Sequence, residues 1–199
     1  KALPIVVLAV FAYTKLSAMP RYMVLTALLF SLAGDVSLAL PFADSFITGL
    51  ACFFVAHLTY AMCFALLHRR LQETPGDHII SRKPKWFISI IMVSFAVMMA
   101  VHILPASKAL FYPVVAYISV ITLMGLTAVW LAQTKLIVTG ALFFVISDAI
   151  LAQSVFKTPL PLSTFWVMTT YYGAQYCLTM GLVDGFLRKE NKQEEIGQT

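Results

Sequence analysis

The chain has 199 residues, of which 60% are hydrophobic and only 12% are charged, and its mean hydropathy is +0.86. This composition excludes an ordinary soluble domain, which carries about twice that charged fraction. The net charge is +5, but no basic patch with interleaved aromatic residues accompanies it, which argues against nucleic-acid binding. We therefore predict a membrane protein that does not bind nucleic acid.

The charged residues form short clusters, and the apolar segments between them are long enough to cross a bilayer as helices. In chain order, the segments are residues 3–13, 22–40, 45–67, 86–104, 110–132, 136–156 and 164–187. They predict an all-α, polytopic bundle of about seven transmembrane helices, with residues 1–187 as one transmembrane domain and residues 188–199 as a polar, frayed cytoplasmic tail. The first segment is too short for a full crossing and Lys1 is not an initiator methionine, so we expect upstream sequence to be missing.

The basic residues predict the orientation of the chain in the membrane. If the loop at residues 68–85 is cytoplasmic, three basic residues lie outside, namely Lys1, Lys108 and Lys157, and eleven lie inside: Lys15, Arg21, Arg69, Arg70, Arg82, Lys83, Lys85, Lys135, Arg188, Lys189 and Lys192. The cytoplasmic charge also favours contact with anionic membrane lipid. Short loops and the lack of an organelle address favour a bacterial inner membrane, with the endoplasmic reticulum as the eukaryotic counterpart.

An internal repeat is indicated by the similarity of residues 26–39 to residues 139–152, at an offset of 113 residues. Six of the fourteen positions are identical, among them Asp35 and Asp148. The two copies lie four predicted helices apart and run in the same direction, so the repeat is predicted to be parallel. Each aspartate lies about 14 residues into its predicted helix, so we expect both carboxyls at one depth, facing a shared cavity.

These aspartates are candidate functional residues because a charged side chain inside the membrane is unfavourable in free energy. A charged aspartate at the bilayer centre costs about 2.5 to 3.5 kcal/mol on insertion scales, so it usually faces the bundle interior and serves a pathway or a reaction. The alternative is a protonated carboxyl that only forms a hydrogen bond between helices. A matched pair favours function over this alternative.

Further polar residues occur at membrane depth. His57 and Tyr60 lie three residues apart on the third predicted helix, and Tyr172, Gln175 and Thr179 recur at helical spacing on the last. At an offset of 115 residues, Tyr172 aligns with His57 and Gln175 with Tyr60. We expect both stripes to line the cavity of the aspartates, although a single buried histidine is more often a packing residue.

Several other kinds of site lack support. A zinc site needs three or four ligands, and no histidine-rich spacing indicates one, so we predict no metal and no cofactor. The sequence contains no Gly-rich phosphate loop, G-x-S-x-G elbow or H-E-x-x-H helix. Five further aromatic residues are predicted mostly to lie in interfacial belts: Trp86, Tyr112, Tyr117, Trp130 and Trp166.

Four segments resemble the lysoplasmalogenase, or YhhN-like, family of multi-pass membrane proteins. They are ALLFSLAGDVSLAL (residues 27–40), HLTY (57–60), ALFFVISDAILAQ (141–153) and MTTYYGAQ (168–175). The resemblance spans nearly the whole chain. Residues 1–4, KALP, are similar to the family's second helix, which implies eight helices in the full protein.

The resemblance implies hydrolysis of the vinyl-ether bond of lysoplasmalogens, which gives a fatty aldehyde and a glycerophospho-alcohol. The substrate would be a lysophospholipid already in the membrane. Such a reaction needs one acid and one base, for which we expect Asp35 and Asp148. The expected substrate-binding residues are His57, Tyr60, Ser147, Tyr171, Tyr172 and Gln175.

Two alternatives belong to other functional classes. A proton-coupled transporter can also combine internal repeats with membrane-embedded carboxyls, but such carriers often have broken helices at the site. Neither repeat segment contains a proline or a Gly-Gly pair around its aspartate. A non-catalytic lipid-binding protein would tolerate the loss of both aspartates. The hydrolase is favoured over both.

Overall fold

The computed structural model of the chain describes residues 2–72, 82–132 and 134–197. Over these residues it contains no strand and seven α-helices: α1 Leu3–Lys15, α2 Ala18–Ala39, α3 Ser45–Gln72, α4 Arg82–Ser107, α5 Phe111–Leu131, α6 Lys135–Phe156 and α7 Ser163–Gly197. A 3-10 turn, Lys108–Leu110, joins α4 directly to α5, so the seven helices form six continuous helical stretches. The predicted all-α class is confirmed.

The helix boundaries extend beyond several of the apolar segments. Helix α2 begins at Ala18 rather than at residue 22, because Ser17 occupies the N-cap position and Pro20 is tolerated in a first turn. Helix α7 differs most, since it continues to Gly197 instead of ending at residue 187 in a frayed tail. Arg188 Nε lies 3.0 Å from Asp184 Oδ1, one turn earlier, and the Lys, Glu and Gln residues that follow are good helix formers.

Four described segments are long and apolar enough to cross a membrane: Ala18–Ala39, Ser45–Arg70, Pro84–Leu131 and Lys135–Phe156. The third contains both α4 and α5, which pack against each other, and Lys108 between them has a left-handed φ of 47°. Helix α1, with 13 residues, is shorter than a full crossing. Large apolar side chains such as Leu29, Val97 and Val101 point outward. The chain is an integral, multi-pass membrane protein.

The helices pack around one main apolar core. Helix α2 packs on α3 and α6 packs on α7, while α3 also contacts α5 and α7, and α1 covers α2 and α7. Fully buried Phe64, Phe144 and Leu178 belong to this core. Phe46, at the start of α3, contacts Phe156, at the end of α6, with ring centroids 5.5 Å apart. The connections at residues 40–44 and 157–162 therefore lie at the same end of the bundle.

Candidate functional site

A cavity of about 310 Å³ lies between α2, α3, α6 and α7, near the end that carries the connections 40–44 and 157–162. Asp35 of α2 and Asp148 of α6 both line it, together with Ser147 and Tyr171. The rest of its wall is apolar except for Ser45, and consists of Leu38, Phe46, Phe53, Leu151, Val155, Val167 and Met168. The expected shared cavity of the two carboxyls is thus present.

The aspartates do not occupy equivalent places in their helices. Asp148 is the 14th of the 22 residues of α6, as expected. Asp35 is the 18th of the 22 residues of α2, because α2 begins four residues before its predicted start. Asp35 is therefore about one helical turn closer to the end of its helix than Asp148, and the packing of the helices brings both to one cavity.

One carboxylate oxygen of Asp148 has two polar partners from other helices. The Tyr117 hydroxyl of α5 donates a hydrogen bond to Asp148 Oδ2 over 2.5 Å. His57 Nε2 of α3 lies 3.3 Å from the same oxygen and 3.1 Å from the Tyr117 hydroxyl oxygen. The fully buried His57 ring also packs against Phe144, with centroids 4.5 Å apart. Helices α3 and α5 thus hold the Asp148 carboxyl of α6 in place.

The position of Tyr117 corrects the prediction that it belongs to an interfacial belt. Its hydroxyl contacts Asp148 inside the bundle, whereas Tyr112, one and a half turns earlier on the same helix, is 81% exposed. Belt residues lie at helix ends. Tyr117 lies seven residues inside the apolar segment 110–132, and this depth was the signal in the sequence that indicated a buried hydroxyl.

The carboxyl of Asp35 interacts with two tyrosines of α7, Tyr171 and Tyr172. The Tyr171 side chain is buried and its ring meets Phe53 edge-to-face, with centroids 5.8 Å apart. Gly34, directly before Asp35, allows Phe53 to lie against α2, because a Cβ at this position would be 2.7 Å from the Phe53 ring. Asp35 is therefore enclosed by aromatic side chains of α3 and α7.

A second polar contact lies deeper in the bundle. The Tyr60 hydroxyl donates a hydrogen bond to Gln175 Oε1 over 2.6 Å, and both side chains are fully buried. These are two positions that align at the 115-residue offset. The Ser147 hydroxyl donates to the backbone carbonyl of Val167 over 3.1 Å, which links α6 to α7. These hydrogen bonds connect helices.

The structure separates the expected substrate-binding residues into those that line the cavity and those that do not. Ser147 and Tyr171 line the cavity of the aspartates, but the lining does not include the other four, His57, Tyr60, Tyr172 and Gln175. His57 contacts Asp148, Tyr172 interacts with Asp35, and Tyr60 and Gln175 contact each other. Two of these four thus interact with the carboxyls, and the other two form the deeper contact.

Two carboxyls in apolar walls make the site suitable for acid–base chemistry. One carboxyl can donate a proton and the other can accept one. Within the described residues, no three His, Cys, Asp or Glu side chains are grouped so as to hold a metal ion.

Comparison with known proteins agrees with the motifs. The model of the YhhN family matches residues 1–182. Human lysoplasmalogenase TMEM86B is 35% identical over 183 residues, which cover 90% of this chain and 72% of that protein. Human lysoplasmalogenase TMEM86A is 29% identical over 171 residues, which cover 81% of this chain and 65% of that protein. Lysoplasmalogenase TMEM86B of Sus scrofa is 31% identical over 160 residues, which cover 78% of this chain and 61% of that protein. The chain thus spans between 61% and 72% of the length of these three relatives. No solved structure matches the chain.

Proposed function

Because the chain belongs to the YhhN family, we propose that it is a membrane-embedded hydrolase that cleaves the vinyl-ether bond of lysoplasmalogens. The products would be a fatty aldehyde and a glycerophospho-alcohol, with Asp35 and Asp148 as acid and base. The observation that carries this proposal is that both carboxyls line one cavity of about 310 Å³. The names of the relatives, which are lysoplasmalogenases, support the choice of substrate.

The hydrogen bonds at Asp148 suggest how the two roles are divided. Asp148 Oδ2 accepts a hydrogen bond from the Tyr117 hydroxyl, so this oxygen is held in place as an acceptor. Asp35 lines the same cavity and supplies the second carboxyl. We therefore assign Asp35 as the acid and Asp148 as the base.

The proposed reaction follows from these two roles. Asp35 transfers its proton to the outer alkene carbon, and the carbon attached to the ether oxygen becomes an oxocarbenium ion, which the Asp148 carboxylate stabilises. Water then attacks this carbon while Asp148 accepts a proton from the water. In the resulting hemiacetal, the bond between this carbon and the glycerol oxygen breaks. The hemiacetal hydroxyl gives up its proton to one carboxylate and the glycerol oxygen takes up a proton from the other carboxyl, so aldehyde and glycerophospho-alcohol are released. One water molecule is consumed, and the shared proton returns to the carboxyl pair.

The helices at the site favour a hydrolase over a carrier. Helix α2 is continuous through Asp35 and α6 is continuous through Asp148, whereas carriers often interrupt their helices at the transported ion. A lysophospholipid already lies in the membrane, so a site between transmembrane helices is within its reach.

Aldehyde release from a lysoplasmalogen by the purified protein in detergent tests this proposal. The wild-type protein should release aldehyde, and Asp35→Asn and Asp148→Asn should each lower kcat by about 100-fold or more, because each removes one partner of general acid–base catalysis. Asp184→Asn is the matched control, since Asp184 lies on α7 beside the exposed Arg188 and outside the cavity.

The outcomes separate the alternatives. A folded wild-type protein that releases no aldehyde would exclude the hydrolase, and binding of lysolipid without turnover would then indicate a lipid-binding protein. Full activity in either asparagine variant would remove that aspartate from the mechanism.

A further inference from the structure

A second cavity, of about 80 Å³, lies between α3, α4, α5 and α6. Its wall is almost entirely aliphatic and aromatic, and Asp148, Tyr117 and Thr122 supply its only polar side chains. An apolar cavity of this kind does not hold water well but accepts apolar guests. It is therefore suited to hydrocarbon.

The two cavities share part of their walls. Asp148 lines both of them, and so do Leu38, Phe46, Phe53 and Leu151. Asp148 thus stands at the junction between a space that contains both carboxyls and a space that contains almost no polar group. A ligand that extends through this junction must be polar on one side of Asp148 and apolar on the other.

The far wall of the second cavity is adaptable. Met92 and Met99 of α4 face it, and methionine side chains are flexible enough to adjust to different apolar partners. The volume of about 80 Å³ admits a short stretch of hydrocarbon, and movement of these two side chains would lengthen the space along α4.

We propose that this second cavity binds the alkenyl chain of the substrate, with the vinyl ether beside Asp148 and the glycerol carbons in the cavity of the two aspartates. The proposal rests on the proposed function and adds the site that selects the chain. The fit of the chain between α4 and α5 then determines which chain lengths place the reacting bond at Asp148.

A filling substitution tests the chain site. Ala96 of α4 lines the second cavity but not the first, so Ala96→Phe should shorten the space for the chain. The ratio of kcat/KM for a long-chain lysoplasmalogen to that for a short-chain one should fall about tenfold or more, as expected when a pocket discriminates by a few methylene groups.

Val97→Phe is the matched control, because Val97 is the next residue, is 58% exposed and does not line this cavity. It should leave the ratio unchanged. Retained cleavage of the short-chain substrate by Ala96→Phe would show that the variant is folded. If Ala96→Phe cleaves all chain lengths in the wild-type ratio, the chain site is wrong while the proposed function stands.

A binding experiment tests the chain site without requiring turnover. A lysophosphatidylethanolamine with a photoreactive diazirine near the end of its chain should crosslink to residues between α4 and α5, such as Met92 and Ile121. The wild type is the reference for the crosslinking yield of Ala96→Phe. Crosslinks confined to the outer face of α4, at Val97 and Val101, would overturn the chain site even if the wild type is active. Crosslinks inside without aldehyde release would support the chain site and reject the hydrolase.

Discussion

At Asp148, one carboxylate oxygen contacts both the Tyr117 hydroxyl and the His57 ring. A hydrogen bond to a charged group contributes roughly 1.5 to 3 kcal/mol. Tyr117 would therefore act as a positioning residue, which keeps the Asp148 carboxyl directed toward the cavity. His57 contacts both members of this pair, so it would hold their geometry.

Removing the Tyr117 hydroxyl tests this role. Tyr117→Phe keeps the ring but removes the donor. We expect kcat to fall roughly 10- to 100-fold while KM changes little, since the loss affects the position of the Asp148 carboxyl more than substrate binding. Steady-state kinetics of aldehyde release measure both parameters.

Tyr112→Phe is the control on the same helix, because Tyr112 is 81% exposed. It should retain wild-type kinetics. A rise in KM with kcat unchanged in Tyr117→Phe would instead assign Tyr117 to substrate binding.

Helices α6 and α7 approach each other until their backbones touch. A Cβ at Gly140 would lie 2.9 Å from the backbone nitrogen of Leu178 and 3.0 Å from the carbonyl oxygen of Ala174. Small residues permit such close helix pairs in membranes. Because Asp148 lies on α6 and Tyr171 on α7, this contact also sets the width of the carboxyl cavity.

Gly140→Ala tests the close approach. The added methyl meets backbone atoms, which do not move aside as a flexible side chain does, and overpacking of this kind costs typically about 1 to 3 kcal/mol. We expect the Tm in detergent to fall by roughly 2 to 10 °C, measured by thermal unfolding of the purified protein.

Gly173→Ala on α7 is the comparison, because a Cβ there meets only the ring of Phe143, at 3.0 Å, and this side chain is 38% exposed and able to shift. Its Tm should stay the same or rise, since alanine favours helix over glycine. An equal loss of Tm in both variants would contradict the importance of the backbone contact.

On the scale of the whole molecule, the charge distribution predicts the side of the membrane from which the site is reached. The cavity of the aspartates lies near the connections 40–44 and 157–162, and the predicted orientation places these on the non-cytoplasmic side. Substrate in the outer leaflet would then lie nearest to the carboxyls.

Lys135 is the first residue of α6 and Lys157 directly follows its last, and both are exposed. Cysteines at these two positions therefore report the orientation of the helix. In intact cells, Lys157→Cys should react fully with a membrane-impermeant maleimide, whereas Lys135→Cys should react only after permeabilisation. The wild type measures the background from Cys52, Cys63 and Cys177, which lie within helices. The reverse pattern would place the cavity on the cytoplasmic side.

Much of this architecture could be predicted from the sequence. The apolar segments marked every helix, because a bilayer imposes a minimum length and hydropathy on each crossing. The family resemblance is confirmed by the match of residues 1–182, and the shared cavity of Asp35 and Asp148 was expected from their aligned positions. The internal repeat itself and the roles of the site residues stay predictions.

The sequence by itself determined what is local: helix class, membrane insertion and the presence of costly carboxyls inside the membrane. Only the tertiary structure decided which polar groups meet. Tyr117 and Asp148 are 31 residues apart, His57 and Asp148 are 91 apart, and Tyr60 and Gln175 are 115 apart. Such contacts, and the apolar cavity beside Asp148, depend on how helices rotate and pack against each other, which apolar periodicity in a lipid-exposed bundle does not specify.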